Sequence, residues 1–325
     1  MVTKRSRKHA KLRLAKWAVV AAALLLAVIA GNFIHGWTAP GPLERAATVI
    51  VKPGSSMMSA ARQLEKSGVI KSADAFVSRA KIFGASNTIK AGEFVIPAQA
   101  SNSEILSILT DGKTVQRMVT IPEGMPSIMV YERLMANDQL TGSISVPAEG
   151  SVLPDSYAFD KNEPRAAVLK RMQDAMTKTM AELWPERSSN AMVKTPLEAL
   201  TLASIVEKET GLASDRGKVA SVFVNRLRVG MLLQTDPTVI YGVGESFDGN
   251  LTRKHLQTDT PYNSYTRAGL PPTPIATPSK AALQATLNPE KTPYFYFVAM
   301  GDGRSYFSKN LNEHNNAVRK YQLRR

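Results

Sequence analysis

The chain has 325 residues, 44% hydrophobic and 21% charged, the balance of folded protein with room for two or three cores. Its formal charge of +14 is uneven: seven of the 41 Lys and Arg residues fall in the first sixteen positions, leaving 34 basic against 27 acidic groups elsewhere. That mild excess argues against a nucleic-acid groove, and the lack of cysteine excludes disulfides, thiolate nucleophiles and cysteine-ligated zinc.

The basic tail, residues 1–16, precedes an uncharged stretch from Trp17 to Trp37 rich in Ala, Val, Leu and Ile. At about 1.5 Å per residue this stretch spans the roughly 30 Å hydrocarbon core of a bilayer, with a tryptophan for each interface. The positive-inside rule places the tail in the cytoplasm and everything after about Thr38 outside. Small residues at Val28-Ile-Ala30 offer a rival signal-peptide reading, but the apolar run continues past them, which favours an uncleaved, single-pass anchor.

Residues 38–46, with Pro40, Gly41 and Pro42, read as a linker. A strand is predicted from Ala47, then helices over 57–66 and 72–82, a strand over 91–97, a helix over 101–110 and a strand over 116–121. This strand–helix–helix–strand pattern with an appended helix and strand, residues 47–121, resembles a LysM-like module, a small fold that holds N-acetylated glycans; a structural spacer is the plainer reading. Residues 122–195 read as mostly helical, interrupted at 150–159. The methionines at 172, 176 and 180 fall on one helix side and are expected in the core.

The chemistry concentrates in a helix that opens with Thr195 as N-cap, Pro196 and Glu198, and ends at Glu207, Glu209 and Gly211. Its interior is apolar on nearly every side, the mark of a buried helix. A carboxylate at such a helix's C-terminal end is disfavoured by desolvation and by the helix dipole, so its acid form persists toward neutral pH. That is what a general acid requires. Positions two apart do not share a face, so Glu207 and Glu209 cannot act as a pair on this helix. Pairing with basic residues of the next helix is the plainer reading for one of them.

Only four histidines occur, and neither H-E-x-x-H nor G-x-S-x-G is present, which removes zinc-protease and serine-hydrolase readings. His314, on an amphipathic C-terminal helix, is a secondary candidate. Two turn-rich segments supply groups that suit sugar rings: Gln234, Thr235 and Asp236, then Tyr262, Asn263 and Tyr265. A hairpin over 294–307 and a closing helix from Asn310 complete the chain.

Ala203-Ser-Ile-Val-Glu-Lys-Glu-Thr210, Val219–Arg228, Leu233–Gly242, Tyr262-Asn-Ser-Tyr265, Gly269-Leu-Pro-Pro272 and Ile275-Ala-Thr-Pro278, in that order, resemble the endolytic murein transglycosylase (YceG-like) family. The resemblance implies an α+β protein with an N-terminal transmembrane helix, the LysM-like unit, and a lysozyme-like, mainly helical catalytic domain over 122–325. It implies cleavage of the MurNAc–GlcNAc bond of peptidoglycan with 1,6-anhydro ends and Glu209 as catalytic residue, which leaves Glu207 as the structural candidate. No metal or cofactor is implied, and the partners are glycan strands, the bilayer of a bacterial inner membrane, and peptidoglycan synthases near which nascent strands end. Two other classes stay open: a non-catalytic glycan-binding scaffold, and a hydrolytic muramidase with Asp236 or Glu207 as second carboxylate.

Overall fold

A computed structural model describes residues 3–83 and 88–323, with side chains from Ala15 onward. The chain divides into two compact units, residues 1–116 and 117–325.

The first unit begins with α1 (Thr3–Thr38), a continuous helix whose residues 15–38 are long and apolar enough to cross a membrane. β1 (Ala47–Val51), α2 (Met57–Lys66), α3 (Ala73–Phe83), β2 (Gly92–Ile96) and α4 (Asn102–Asp111) follow. β1 and β2 pair antiparallel, with Ala47 opposite Ile96 and Val51 opposite Gly92, which turns Val49, Val51, Phe94 and Ile96 inward. Local chemistry sets the helix starts. The Ser56 hydroxyl accepts from the Ser59 amide, and Ser101 with Glu104 forms a reciprocal capping box.

One expectation is overturned here. Trp37 is not a lipid-facing interfacial ring: it is 5% exposed and packs into the unit's core against Phe76. The helix runs on into the small unit because its last turn offers that core a large aromatic ring.

The second unit holds β3 (Arg117–Thr120), α5 (Ser127–Met135), β4 (Ser156–Phe159), α6 (Arg165–Leu183), α7 (Pro196–Glu209), α8 (Ala213–Arg228), α9 (Asp236–Val243), α10 (Arg253–Gln257), α11 (Lys280–Leu287), β5 (Tyr296–Ala299), β6 (Ser305–Ser308) and α12 (Leu311–Tyr321). The 116–121 strand therefore does not close the small unit. β3 pairs antiparallel with β4, Arg117 opposite Phe159, and the unit boundary falls five residues earlier than the sequence pattern suggested.

Residues 122–195 are also less helical than expected. Arg165 is the physical reason: it is buried, and its guanidinium donates to the carbonyls of Leu134, Asn137 and Gly142 at 2.6–2.8 Å. These bonds satisfy the end of α5 and hold the irregular segment that follows it. α6 joins two cores, with Val168 and Met172 in one and Met176 and Met180 in the other, so its methionines are core residues. α7 is the centre of the larger core, packed by α8 and α11, with Thr201 through Val206 all buried. Its first turn is not buried, since Leu197 is 53% exposed.

Candidate active site

α7 starts as its sequence dictates: the Thr195 hydroxyl accepts from the Glu198 amide, and Pro196 fills the first turn, where no amide donor is needed. Its end is different from the expected glycine cap. Thr210 turns the chain into extended backbone, φ −149° and ψ 127°, and Gly211 has no left-handed φ. The helix stops with Glu207 and Glu209 on different sides.

Glu207 accepts from the Ser279 amide at 2.9 Å and from the Ser279 hydroxyl at 2.5 Å. Ser279 is the N-cap of α11 and also accepts from the Ala282 amide, so Glu207 belongs to a partly buried capping network between two helices.

Glu209 opens into a cleft of about 580 Å³, within the usual range for a ligand site. Arg226 of α8, the 233–236 loop, Tyr265, the β5 strand and α12 form its other walls. Part of the Glu209 side chain reaches the cleft, but its carboxylate sits deep, and that burial raises its pKa above the ordinary 4.5. The Thr235 hydroxyl donates to Oε1 and opposes the shift, Asp236 adds to it, and Arg226 opposes it.

Thr235 is not a surface contact for sugars, as its sequence position suggested. It is 2% exposed, and its amide donates to the Ser264 hydroxyl at 3.0 Å. Ser264 in turn bonds the Thr238 hydroxyl at 2.7 Å, and the Gln234 amide donates to the Ser264 carbonyl. The loop is thus fixed against the 262–266 segment, with its hydroxyl aimed at Glu209. Gln234 takes φ +48°, the left-handed region, a strain of about 1–3 kcal/mol in a non-glycine residue; its side chain is exposed at the cleft. Asp236 also lines the cleft and accepts from the Tyr265 hydroxyl at 2.6 Å. Burial and that carboxylate push the Tyr265 phenol well above its usual range.

Tyr262 and Asn263 lie outside the cleft lining. The Tyr262 hydroxyl bonds Thr273 at 2.8 Å and its ring packs edge-on against Tyr241. Asn263 is fully buried, and its amide donates to the carbonyls of His255, Leu256 and Thr258. Both shape the loop instead of facing a ligand. His314 does line the cleft, with its ring stacked on Tyr296 at 5.2 Å and Nδ1 buried without a hydrogen-bond partner. Burial, and then the Arg226 charge, lower its pKa and so favour the neutral ring.

Arg226 was not singled out as a site residue by sequence. Its Nε donates to the Phe295 carbonyl and its Nη1 to the Leu233 carbonyl, both at 2.7 Å. One buried side chain therefore ties the strand wall of the cleft to the loop that carries Thr235. The signal was present: Val219, Val222, Phe223 and Arg226 share one helical stripe, and a lone charge on an apolar stripe needs buried partners.

A second carboxylate with a raised pKa, Glu149, lies outside the cleft lining. Desolvation raises it, while the Ser127 amide at 2.9 Å and the Tyr241 hydroxyl at 3.0 Å donate to it. The following Gly150 has φ +73°, and a Cβ there would meet Pro274 at 2.8 Å, so the turn admits glycine alone.

The YceG-like family matches residues 49–320. An endolytic murein transglycosylase of Bacillus subtilis is 31% identical over 90% of this chain and 91% of its own length. One from Streptococcus pneumoniae (strain D39) is 28% identical over 83% of this chain and 57% of its own. A crystal structure of a yceG-like protein from Listeria monocytogenes, 32% identical, covers 84% of this chain and 98% of that one with a TM-score of 0.55. With the family match covering well over half its length, the chain belongs to the YceG-like family.

Proposed function

We infer that this chain is a peptidoglycan lytic transglycosylase that cuts glycan strands at the MurNAc–GlcNAc bond, with Glu209 as the residue that moves the proton. Its similarity to the Bacillus subtilis enzyme over nine-tenths of both chains supports the activity. One observation carries the site: a carboxyl group at the end of a buried helix, opening into a cleft and held by a fixed threonine hydroxyl.

In this reading Glu209 enters the cycle protonated, a state its burial favours, and gives its proton to the glycosidic oxygen as the bond to C1 breaks. The resulting carboxylate is stabilised by the Thr235 hydroxyl and the Arg226 charge. It then takes the proton of the C6 hydroxyl of the same MurNAc as that oxygen attacks C1, which leaves a 1,6-anhydro end. The nucleophile is already part of the substrate, so one carboxylate serves both steps. Gln234, Asp236, Tyr265 and His314 are the polar groups placed to orient the sugars.

A second reading is hydrolysis, favoured by one observation: Asp236 shares the cleft and is close enough to raise the Glu209 pKa. It would supply the other carboxylate that an ordinary glycosidase needs. Glu207 is a weaker second carboxylate, being engaged by Ser279.

The proposal also puts the anchor in the inner membrane with residues 1–16 cytoplasmic, the two units periplasmic, and the LysM-like unit on the glycan. Peptidoglycan synthases are the proposed protein partners. The test is digestion of purified murein by the full chain and its Glu209→Gln variant, with ends analysed by mass spectrometry. Anhydro ends lost in the variant are the expected result. Reducing ends point to hydrolysis, and an absence of cleavage by the wild type would overturn the enzymatic reading in favour of a scaffold.

A further inference from the structure

The end of α1 is built into the first unit. Trp37 stacks on Phe83 at 5.6 Å between ring centres, and Phe33 lies 5.7 Å from the same ring. Side chains of that unit reach carbonyls near the helix end: Arg79 Nε donates to Phe33 at 3.1 Å, and Asn102 Nδ2 to Gly36, in the last turn, at 2.8 Å. A helix joined this way is a rigid post, and it fixes the unit's height above whatever surrounds the post.

That height follows from the side chains. Large apolar groups along α1 are exposed from Trp17 to Ile34, and the next residue, His35, is exposed and polar. If Trp17 marks one interface, a rise of about 1.5 Å per residue puts residues 35–37 roughly 30 Å away, at the level of the opposite headgroups. A groove of about 240 Å³ opens at that level, lined by His35, Lys71, Ser72, Arg79 and Asn102 among others, with no carboxylate in its lining. Lys71 is exposed, and Arg79 is half-buried over the Phe33 ring, its two terminal nitrogens making no hydrogen bond among the described residues. Gly36 makes room for that guanidinium: a Cβ there would sit 2.5 Å from Nη2. One turn beyond Arg79, Ile82 and Phe83 leave 68% and 41% of their surface exposed, Phe83 beside Phe33. Cations beside exposed apolar side chains at that level are the arrangement of a membrane-interface element.

We propose that this groove binds the phosphate of an anionic phospholipid and so seats the first unit directly on the bilayer. The inference rests on the reading of α1 as a membrane anchor. The occupant is set by complementarity: positive groups at headgroup height, with apolar side chains beside them for the acyl region.

The test reconstitutes the full chain in nanodiscs of phosphatidylcholine alone or with phosphatidylglycerol and follows hydrogen exchange of the amides of residues 72–79. Phosphatidylglycerol should slow their exchange at least threefold, Lys71→Gln should reduce that effect, and Lys71→Gln with Arg79→Gln should abolish it. Lys71 is an exposed side chain, so its single variant keeps the fold. Reading these amides alone separates the groove from lipid attraction to the basic tail. Equal exchange in the two discs, slowing that persists in the double variant, or the same slowing by inorganic phosphate in phosphatidylcholine discs overturns the proposal. A chain that enters neither disc overturns the anchor reading, and the seat with it.

Discussion

The two sides of the α7 terminus carry the same functional group to opposite ends. On one side Glu207 receives an amide and a hydroxyl from Ser279 and holds the start of α11 in place. On the other, Glu209 keeps a single hydroxyl donor, from Thr235, and faces a cleft beside Asp236 and Arg226. Burial raises the Glu209 pKa, and one hydroxyl donor offsets that only in part. In the proposed reading, two residues of helical offset, about 200° of rotation, separate a structural acid from a chemical one.

The comparison breaks most visibly if Glu209→Gln leaves activity intact. We expect a loss of roughly 10³-fold in anhydro ends, the range of a removed general acid, with the circular dichroism spectrum unchanged. Glu207→Ala should act on folding instead. Leaving the Ser279 amide and hydroxyl without their acceptor costs about 2 kcal/mol, close to thirtyfold in the folding equilibrium. In a unit of this size that lowers the melting temperature by about 4–8 °C. An activity loss matching Glu209→Gln, with no thermal change, would reverse the assignments.

Thr235→Val sharpens the contrast. Without the hydroxyl the Glu209 carboxylate loses its stabiliser, so its pKa rises further and the first proton transfer, from the acid to the glycosidic oxygen, weakens. The rate should fall about tenfold. Because the first step needs the acid form, activity declines as pH rises through the Glu209 pKa, and in the variant that decline should move to higher pH. Thr235→Ser should retain the wild-type profile. A pH–rate curve for each variant decides it.

The smallest effect concerns stability. A carboxyl whose folded pKa is raised favours the fold fully below its unfolded pKa, near 4.5, and loses that contribution as pH climbs through the folded value. At pH 7 wild-type Glu209 is therefore a burden that Gln does not share. Glu209→Gln should melt about 1–2 °C higher at pH 7, the difference vanishing near pH 4. Thermal melts across that range test the sign.

Several features were legible because they depend on neighbours in sequence. Thr195 and Pro196 announce the start of α7, Ser56 and Ser101 the starts of α2 and α4, and the methionine stripe of α6 announces a buried face. Helical geometry alone separated Glu207 from Glu209. Other features depend on distant partners and were read differently. Trp37 reads as an interface tryptophan until Phe76 and Phe83 are brought to it. Asn263 reads as a sugar ligand until three carbonyls claim its amide. The strand at 117–120 has no way to name β4 as its partner, because period-two patterning fixes which face is buried and leaves the pairing open.

The sequence by itself determined a long apolar helix behind a basic tail, the elements of the small unit, and a buried helix ending in two carboxylates on separate sides. Those follow from composition, capping and a fixed helical pitch. Tertiary structure alone decided that Glu209 meets a cleft while Glu207 meets a helix cap. It also decided that Thr235 serves the acid, and that Arg226 joins the two walls around it. Burial and hydrogen-bond supply are set by residues tens of positions away, and these are the quantities that fix a carboxyl group's proton.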